Sequence, residues 1–379
     1  MDLNQDVHMT LIDLLHQSQQ TVVTPAYIYS VEQVVENYND LKAALGTPLI
    51  VSIKANHCAE LLARTAFSFD DGCEFASLGE LRLRAGTRNK VYVNTPVYSK
   101  KLIEVASRYD AVFIIDHIAQ LDVLGEFAAK GAFKCPVLLR INLDAAKGGV
   151  ASSRDHFGMD TPGVFAAAHK ALELGIEVAG LHVFCGSNGF VERSSNCIEV
   201  VEALFDEVSQ VLGYPLTLIN LGGGITTDWR ERNIDFAAYR QRIASLCARA
   251  TVVHESGRAI FGSAGYFLAE VVSVKHVGDK HYLVCDGGIA QNFLLAHTEH
   301  VIRRHAAPTV LTKRFTNQPK DYLLVGSSCN RDDVIGELKN CLHDIQAGDR
   351  VMFRNCGAYN ALYTMNKFLA LPQSCEYIV

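Results

Sequence analysis

From about residue 49 the chain alternates short apolar runs with amphipathic segments. Most runs are almost continuously apolar, which is typical of strands buried on both faces of a parallel sheet. The eight runs are Leu49–Asn56, Gly72–Ser77, Val91–Thr95, Val112–Asp116, Pro136–Asn142, Val178–Phe184, Leu216–Gly224 and Val252–Arg258. Helical periodicity is clearest in Leu78–Gly86, Ile118–Gly131 and Pro162–Leu174. Eight strands separated by helices over about 210 residues predict a (β/α)8 barrel.

A doubly wound sheet is the alternative to a barrel. It would require a glycine-rich dinucleotide turn after the first strand, and Ile53-Lys54-Ala55-Asn56 contains no glycine. Beyond about residue 262, strand-like segments dominate. These are Tyr266–Val277, His281–Cys285, Tyr322–Val325, Arg350–Phe353 and Glu376–Val379. We therefore expect the barrel over residues 27–262 and a second, antiparallel β domain formed by residues 1–26 and 263–379.

The composition narrows the class of protein. The 379 residues are 49% hydrophobic, and 35 Lys and Arg against 41 Asp and Glu give a net charge of −6. That hydrophobic content is typical of a globular core, and the mildly acidic balance argues against a nucleic-acid partner. No apolar window reaches the ~20 residues of a membrane span, and the N-terminus lacks a signal pattern, so a cytoplasmic protein is expected. The 11 cysteines are scattered without metal-binding spacing, which predicts reduced thiols and no metal.

Most of the predicted strands end in polar or glycine-rich residues, where a barrel carries its catalytic groups. Lys54 lies near the end of the first run. A lysine in an apolar run is costly to bury unless its amine is neutralised or covalently bonded. The alternative is a side chain that extends its amine into solvent.

Two later strand ends add a possible anion site and a charged pair. Gly222-Gly223-Gly224 could direct backbone N–H groups at an anion, or could form a plain tight turn. Glu255 and Arg258 flank Gly257 and could face one small ligand, or could form a surface ion pair. A lysine, an anion cradle and a carboxylate together are the groups that pyridoxal 5'-phosphate (PLP) requires.

With these motifs in order, the chain resembles the fold type III PLP-dependent decarboxylases, which include diaminopimelate and ornithine decarboxylases. The resemblance covers nearly the whole chain. Ser52-Ile53-Lys54-Ala55-Asn56 resembles the cofactor-lysine motif and implies that Lys54 is the Schiff-base residue. Glu74-Phe75-Ala76-Ser77 resembles the acidic motif that follows, Gly222-Gly223-Gly224 resembles the phosphate loop, and Glu255-Ser256-Gly257-Arg258 resembles the segment whose glutamate contacts the pyridine nitrogen.

The resemblance implies further cofactor contacts from Arg140, His182, Phe184 and Ser187. Phe184 stands where the family commonly has a histidine stacked on the cofactor ring. A phenyl ring can stack but cannot donate a hydrogen bond. His182 lies two residues earlier, so it points the same way on a strand. A catalytic histidine and a satisfied core histidine both remain open for His182.

The second domain carries motifs of the same family. Gly326-Ser327-Ser328-Cys329 resembles the segment that a partner subunit lends to the site, which implies a homodimer with shared sites and Cys329 as the proton donor. Substrate contacts are expected from Asn330, Asp333 and His297. Gly357-Ala358-Tyr359 resembles the motif whose tyrosine reaches the phosphate.

The substrate segments depart from those of basic amino acid decarboxylases. Asn330 follows Cys329 where an acid is usual, and no clear acidic residue for a distal ammonium follows Asp286-Gly287-Gly288. With Ile219–Ile225 and Gly288–Phe293, this resembles decarboxylases of siderophore pathways. His297, Arg303 and Arg304 could meet extra carboxylates or could form a solvated helix face. Diaminopimelate or basic amino acid decarboxylation is the main alternative; a racemase or a non-catalytic PLP-binding homologue are alternatives of other classes.

Overall fold

A computed structural model describes residues 22–84, 88–146, 155–296 and 305–379. The chain divides into two compact units, Glu32–Phe261 and a second unit that joins Met1–Val31 to Gly262–Val379. The expected boundary at residue 27 lies a few residues too early. Strand β1 (Ala26–Tyr29) pairs with two strands of the second unit, so its backbone hydrogen bonds place it there.

The first unit contains a closed barrel of eight parallel strands, which confirms the predicted fold. In order these are β2 (Leu49–Ser52), β3 (Cys73–Phe75), β4 (Val91–Asn94), β5 (Val112–Ile115), β6 (Val137–Ile141), β7 (Val178–Val183), β8 (Leu218–Asn220) and β9 (Thr251–Ser256). Each strand pairs with the next one along the chain, and β9 returns to pair with β2. Every strand is shorter than the run that predicted it, because the polar and glycine-rich ends belong to loops.

Helices connect the barrel strands, as the amphipathic segments predict. They span Val31–Leu45, Ala59–Thr65, Leu78–Arg82, Lys100–Ala106, Ala119–Ala128, Leu143–Ala146, Thr161–Glu173, Phe190–Leu212, Phe236–Cys247 and Arg258–Phe261. Local chemistry sets several of their ends. The Asp160 carboxylate accepts from Gly163 N at 2.9 Å at one N-terminus, with Pro162 in the first turn. Gly213 ends the longest helix in the left-handed conformation with φ of 76°.

The second unit is built on a mostly antiparallel sheet, as predicted. Besides β1 it contains β10 (Gly265–Val277), β11 (Lys280–Cys285), β12 (Thr309–Leu311), β13 (Phe315–Val325), β14 (Val334–His343), β15 (Arg350–Phe353) and β16 (Cys375–Ile378). The main strand order is β12-β15-β10-β11-β13-β14, with β1 joining β10 to β16. Strands β1, β12 and β14 are additions to the prediction. In strand β14 the apolar residues are interrupted by Gly336, Glu337, Lys339 and Asn340, so the strand has no continuous apolar run.

The barrel interior has an apolar layer at its centre. That layer is formed by Ile50, Tyr92, Val112, Ile114, Leu138, Ala179, Leu218 and Val253. Within the described part of the chain, no helix is long and apolar enough to cross a membrane.

Candidate active site

A layer of buried polar side chains lies at the carboxyl ends of the barrel strands. Each strand, or the residue directly after it, contributes one member. The layer consists of Ser52, Glu74, Asn94, Asp116, Arg140, His182, Asn220 and Glu255, all buried. Six of them follow a residue of the apolar layer by two positions, so they project from the same face of their strand. Buried polar groups require partners, and this layer lies where barrel enzymes carry their chemistry.

Lys54 is held at the mouth of the barrel by a buried carboxylate. It lies in the 3-10 turn Ile53–Ala55 directly after β2, rather than within the strand as its run suggested. Its Nζ is 2.9 and 3.1 Å from the two carboxylate oxygens of Glu74, and Ser52 Oγ donates to Glu74 Oε2 at 2.5 Å. The Lys54 side chain is 42% exposed whereas that of Glu74 is fully buried. The amine is therefore oriented yet reachable by a ligand.

Glu255 occupies a second charged position in the same layer. Its Oε1 accepts from Asn220 Nδ2 at 2.7 Å and lies 3.4 Å from His182 Nε2. Burial alone would raise the pKa of the Glu255 carboxyl, but the neighbouring His182 and Lys54 and the Asn220 amide hold it below its ordinary value. Glu255 is consequently an anion at neutral pH. It can hold a proton on a basic ring nitrogen placed against it.

His182 lacks the partners that a satisfied core histidine would have. The side chain is buried, and neither ring nitrogen has a hydrogen bond in good geometry among the described residues. The 3.4 Å approach to Glu255 is an electrostatic contact rather than a formed hydrogen bond. A buried imidazole without a well-formed hydrogen bond is costly, which favours the functional alternative for His182.

Arg140 lies in the polar layer and forms an ion pair with Asp116. Its Nη1 donates to Asp116 Oδ1 at 3.0 Å and approaches Asn94 Oδ1 at 3.4 Å. The guanidinium also lies 4.7 Å from the centre of the Phe157 ring. Asp116 additionally accepts from Gly158 N at 2.9 Å. The predicted cofactor contact of Arg140 stays a prediction, while its observed role is to neutralise a buried aspartate.

The triglycine segment forms a tight loop directly after β8. Gly222 N donates to Asn220 Oδ1 at 2.9 Å, so this N–H is already used within the protein. Gly222 and Gly224 adopt φ of +64° and +98°. A Cβ on any of the three would lie within 2.3 to 2.5 Å of a carbonyl oxygen. Glycine is therefore required at each position.

Four further predicted contacts lie in the segments that follow β7 and β9. Phe184 is half-buried, and its Cδ2 would lie 3.2 Å from a Cβ on Gly222, so the glycine makes room for the ring. Ser187 is exposed in the loop that precedes the helix Phe190–Leu212. Arg258 is half-buried and begins the helix Arg258–Phe261. Gly257 packs closely on the Lys54 turn, since a Cβ there would lie 2.6 Å from Ala55 Cβ.

The remaining predicted residues belong to the second unit. Cys329 is exposed in the turn between β13 and β14, and Asn330 beside it is partly exposed. Tyr359 is half-buried with φ of 70°. His297, with Arg303 and Arg304, lies outside the described residues.

Asp333 differs from its predicted role as a substrate contact. It is only 2% exposed, and its carboxylate accepts from Ile289 N, Ser328 N and Ser328 Oγ. Both oxygens are thus used within the second unit, which leaves no carboxylate oxygen directed at a ligand.

Comparison with known proteins identifies the family of the chain. Residues 31–262 match the model described as "Pyridoxal-dependent decarboxylase, pyridoxal binding domain". The chain belongs to this family of decarboxylases. It is 26% identical over 387 residues to diaminopimelate decarboxylase of Aquifex aeolicus, covering 96% of this chain and 89% of the relative.

A second relative and a solved structure extend the comparison. The 2-[(L-alanin-3-ylcarbamoyl)methyl]-2-hydroxybutanedioate decarboxylase of Staphylococcus aureus is 25% identical over 370 residues, covering 91% of this chain and 92% of the relative. The crystal structure of lysine/ornithine decarboxylase from Vibrio vulnificus, complexed with putrescine, has a TM-score of 0.81 at 19% identity, covering 97% of this chain and 98% of that one. The fold is that of the fold type III decarboxylases.

The protein is therefore a PLP-dependent carboxy-lyase. The residues of the barrel fit the cofactor. The glycine loop offers an anion cradle, Glu255 is an anion suited to a protonated pyridine nitrogen, and Lys54 supplies a reachable amine. The His182 imidazole, 3.4 Å from Glu255 Oε1, is a further buried polar group without a hydrogen bond in good geometry among the described residues.

Four members of the polar layer were missed by sequence reasoning: Ser52, Asn94, Asp116 and Asn220. A usable signal was present. Each follows an apolar interior residue by two positions at the end of its strand, namely Ile50, Tyr92, Ile114 and Leu218. Side chains alternate between the two faces of a strand, so a polar residue two positions after an inward-facing apolar residue also points into the barrel.

Proposed function

We propose that this carboxy-lyase removes the α-carboxylate of an L-amino acid that is joined to a second, carboxylate-bearing group, as in siderophore biosynthesis. The observation that carries the proposal is that the described residues 287–296 contain no acid that could face a distal ammonium. Gln291 and Asn292 are buried there, and their amides bond to Pro372 O and Asn360 Nδ2. The Asp286 carboxylate is used as well, since its Oδ1 accepts from Glu270 N at 2.8 Å.

The relatives are consistent with such a substrate. The name of the Staphylococcus aureus relative describes an alanine unit joined through an amide to a hydroxy-dicarboxylate. A basic amino acid substrate would require an acid against its distal ammonium, because an unpaired buried charge is costly. In this chain Asn330 follows Cys329 at the place where an acid is usual in basic amino acid decarboxylases.

Bound PLP would supply the electron sink for the electron pair that stays on the α-carbon when carbon dioxide leaves. We assign Lys54 as the residue that holds the cofactor covalently, and Glu74 as the group that orients the Lys54 amine. Glu255 keeps a proton on the pyridine nitrogen, since its own pKa is held low. The N–H groups of Gly223 and Gly224 bind the phosphate, with Tyr359 as a further phosphate contact. Phe184 packs against the cofactor ring from the end of β7.

Cys329 returns a proton to the α-carbon in this proposal, as a general acid. The resemblance implies that Cys329 is lent by a partner subunit, so the proposal includes a homodimer with shared sites. Closed two-fold symmetry makes such an exchange reciprocal, which gives two complete sites per dimer.

Diaminopimelate or basic amino acid decarboxylation is the second candidate. The specific observation in its favour is the match to Aquifex aeolicus diaminopimelate decarboxylase over 96% of the chain. Full-length similarity at this identity fixes the cofactor chemistry more firmly than the substrate, because specificity depends on a few side chains.

The deciding experiment is a substrate panel followed by mass spectrometry. The purified enzyme with PLP is incubated with diaminopimelate, lysine, ornithine, and amino acids amide-linked to citrate. We expect loss of one carboxyl group from a citrate conjugate, with a kcat/KM at least about tenfold above that for the basic amino acids. A preference for diaminopimelate or lysine would overturn the proposed substrate and leave the decarboxylase chemistry intact.

Two variants test the assigned residues on the preferred substrate. Lys54→Ala should abolish turnover and the absorbance of covalently held cofactor. Cys329→Ala should retain the cofactor but lose rate by about two orders of magnitude, the contribution of a general acid. Cys375→Ala, at another exposed cysteine, is the matched control and should behave as the wild type. Full activity of Lys54→Ala or Cys329→Ala would contradict the corresponding assignment.

A further inference from the structure

A buried carboxylate fastens the turn that carries Cys329. Asp333 Oδ2 accepts from Ser328 N at 3.0 Å and from Ser328 Oγ at 2.5 Å, while Oδ1 accepts from Ile289 N at 2.8 Å. One side chain thus bonds to the residue before Cys329 and to the neighbouring segment after β11. These bonds join two loops that are far apart in the sequence.

The backbone around Asp333 is shaped to receive this carboxylate. A Cβ on either Gly288 or Gly326 would lie 2.3 Å from Asp333 Oδ1, so a side chain at either position would displace the carboxylate. Gly326 N donates to Asp333 O at 3.0 Å, and Asp333 N donates to Asn330 O at 3.1 Å. The turn is therefore closed by its own backbone and then locked by one side chain.

The energetics indicate that this arrangement serves more than stability. No Lys, Arg or His among the described residues forms an ion pair with Asp333, although it is buried. Burying a carboxylate without a cation is costly, and hydrogen bonds to its charged oxygens recover that cost only while the turn keeps one geometry. The buried Asp333 carboxylate is therefore stabilised only while the turn that carries Cys329 stays ordered.

We propose that Asp333 is a positioning residue that fixes Cys329 in the orientation needed for proton transfer. The proposal rests on the proposed role of Cys329 as the proton donor. Asp333 does not act on the substrate, because its oxygens bond to the loops. A general acid is effective only when its proton is held within hydrogen-bond reach of the acceptor, so a loosened turn would slow the protonation step.

The test compares Asp333→Asn with Asp332→Asn in the PLP-loaded enzyme. Both substitutions remove one negative charge from neighbouring residues, but the Asp332 side chain is exposed. The first readout is the rate at which iodoacetamide alkylates Cys329, followed by peptide mass spectrometry. Cys247 and Cys375 are also exposed and serve as internal standards. We expect the rate of Cys329 alkylation to change by a factor on the order of ten in Asp333→Asn and to stay at the wild-type value in Asp332→Asn.

The second readout separates positioning from general destabilisation. We expect kcat of Asp333→Asn to fall by about tenfold, with KM within about twofold and cofactor absorbance unchanged. Unchanged Cys329 alkylation and unchanged kcat in Asp333→Asn would overturn the proposal. If Asp333→Asn does not fold, Ser328→Ala replaces it, since that variant removes only the Oγ contact. Wild-type activity of Cys329→Ala would instead refute the role of Cys329, while the alkylation rates would still decide whether Asp333 fixes the turn.

Discussion

The glycine loop allows the proposed phosphate cradle to be tested against a control with the same backbone strain. Gly222 and Gly213 both adopt the left-handed conformation, with φ of +64° and +76°. A Cβ on Gly222 would lie 2.4 Å from Val183 O, whereas a Cβ on Gly213 would have no atom within 4 Å. Gly222→Ala and Gly213→Ala therefore share the conformational cost and differ in the steric one.

The expected magnitudes follow from these two costs. A left-handed alanine costs about 1 kcal/mol, so Gly213→Ala should lower the free energy of unfolding by about that amount. Gly222→Ala adds an overpacking cost of about 1–3 kcal/mol. Because the loop must shift to relieve the contact with Val183, the N–H groups that follow it move as well. We expect the PLP affinity of Gly222→Ala to fall by at least about tenfold, equivalent to roughly 1.4 kcal/mol.

Two measurements check this prediction. Urea unfolding of each variant gives the free energy of unfolding, and PLP titration of the cofactor-free protein by absorbance gives the dissociation constant. Gly213→Ala should bind PLP as the wild type does. If Gly222→Ala had the same PLP affinity and the same unfolding free energy as Gly213→Ala, the cradle would not depend on the tight loop geometry, and the reasoning would be wrong.

Two further predictions concern buried ionisable side chains in the barrel. Burial lowers the pKa of His254 to about 3, so the folded form stays neutral while the unfolded chain binds a proton below about pH 6.5. The free energy of unfolding should therefore fall by up to about 1.4 kcal/mol per pH unit as the pH drops from 6.5 toward 3. In urea titrations between pH 6.5 and 5, His254→Gln should show a smaller change of unfolding free energy with pH than the wild type. Equal changes in the two proteins would contradict this prediction. Arg140→Met leaves Asp116 buried without its cation and should cost about 3–5 kcal/mol, whereas adding Asp116→Leu should recover part of that loss; a double variant less stable than the single one would refute the pairing.

The fold of the barrel could be predicted because its strands are buried on both faces. Such strands produce nearly continuous apolar runs, and each of the eight runs overlaps one barrel strand. The exact ends could not be predicted from apolarity alone. The first run continues through Lys54, for example, yet the strand ends at Ser52, where the backbone turns to close the bond from Asn56 N to Ile53 O.

The domain boundary was harder to place because pairing between distant segments decides it. The expected boundary at residue 27 falls within the strand Ala26–Tyr29. This strand pairs with Gly265–Val277 and Cys375–Ile378, which lie more than two hundred residues later in the chain. The exposed strand Val334–His343 was missed for a related reason, since its stability comes from pairing with Phe315–Val325 rather than from a run of apolar residues.

The polar layer shows how far strand order alone can predict a site. Lys54 and Ser52 bond to Glu74, Asp116 to Arg140, and Asn220 to Glu255, and each of these partners lies on or directly after neighbouring strands.

Consecutive parallel strands are neighbours in a closed barrel. Strand order therefore predicts those contacts once it is known which residues of each strand face the barrel interior. The approach of His182 to Glu255 is different, since it passes across β8 from β7 to β9. That contact depends on the curvature of the barrel, and together with Lys54 and the Asn220 amide it holds the pKa of Glu255 below its ordinary value. The barrel thus pairs Glu74 with Lys54, Asp116 with Arg140, and Glu255 with Asn220. These partners decide which of the three carboxylates can face a cofactor.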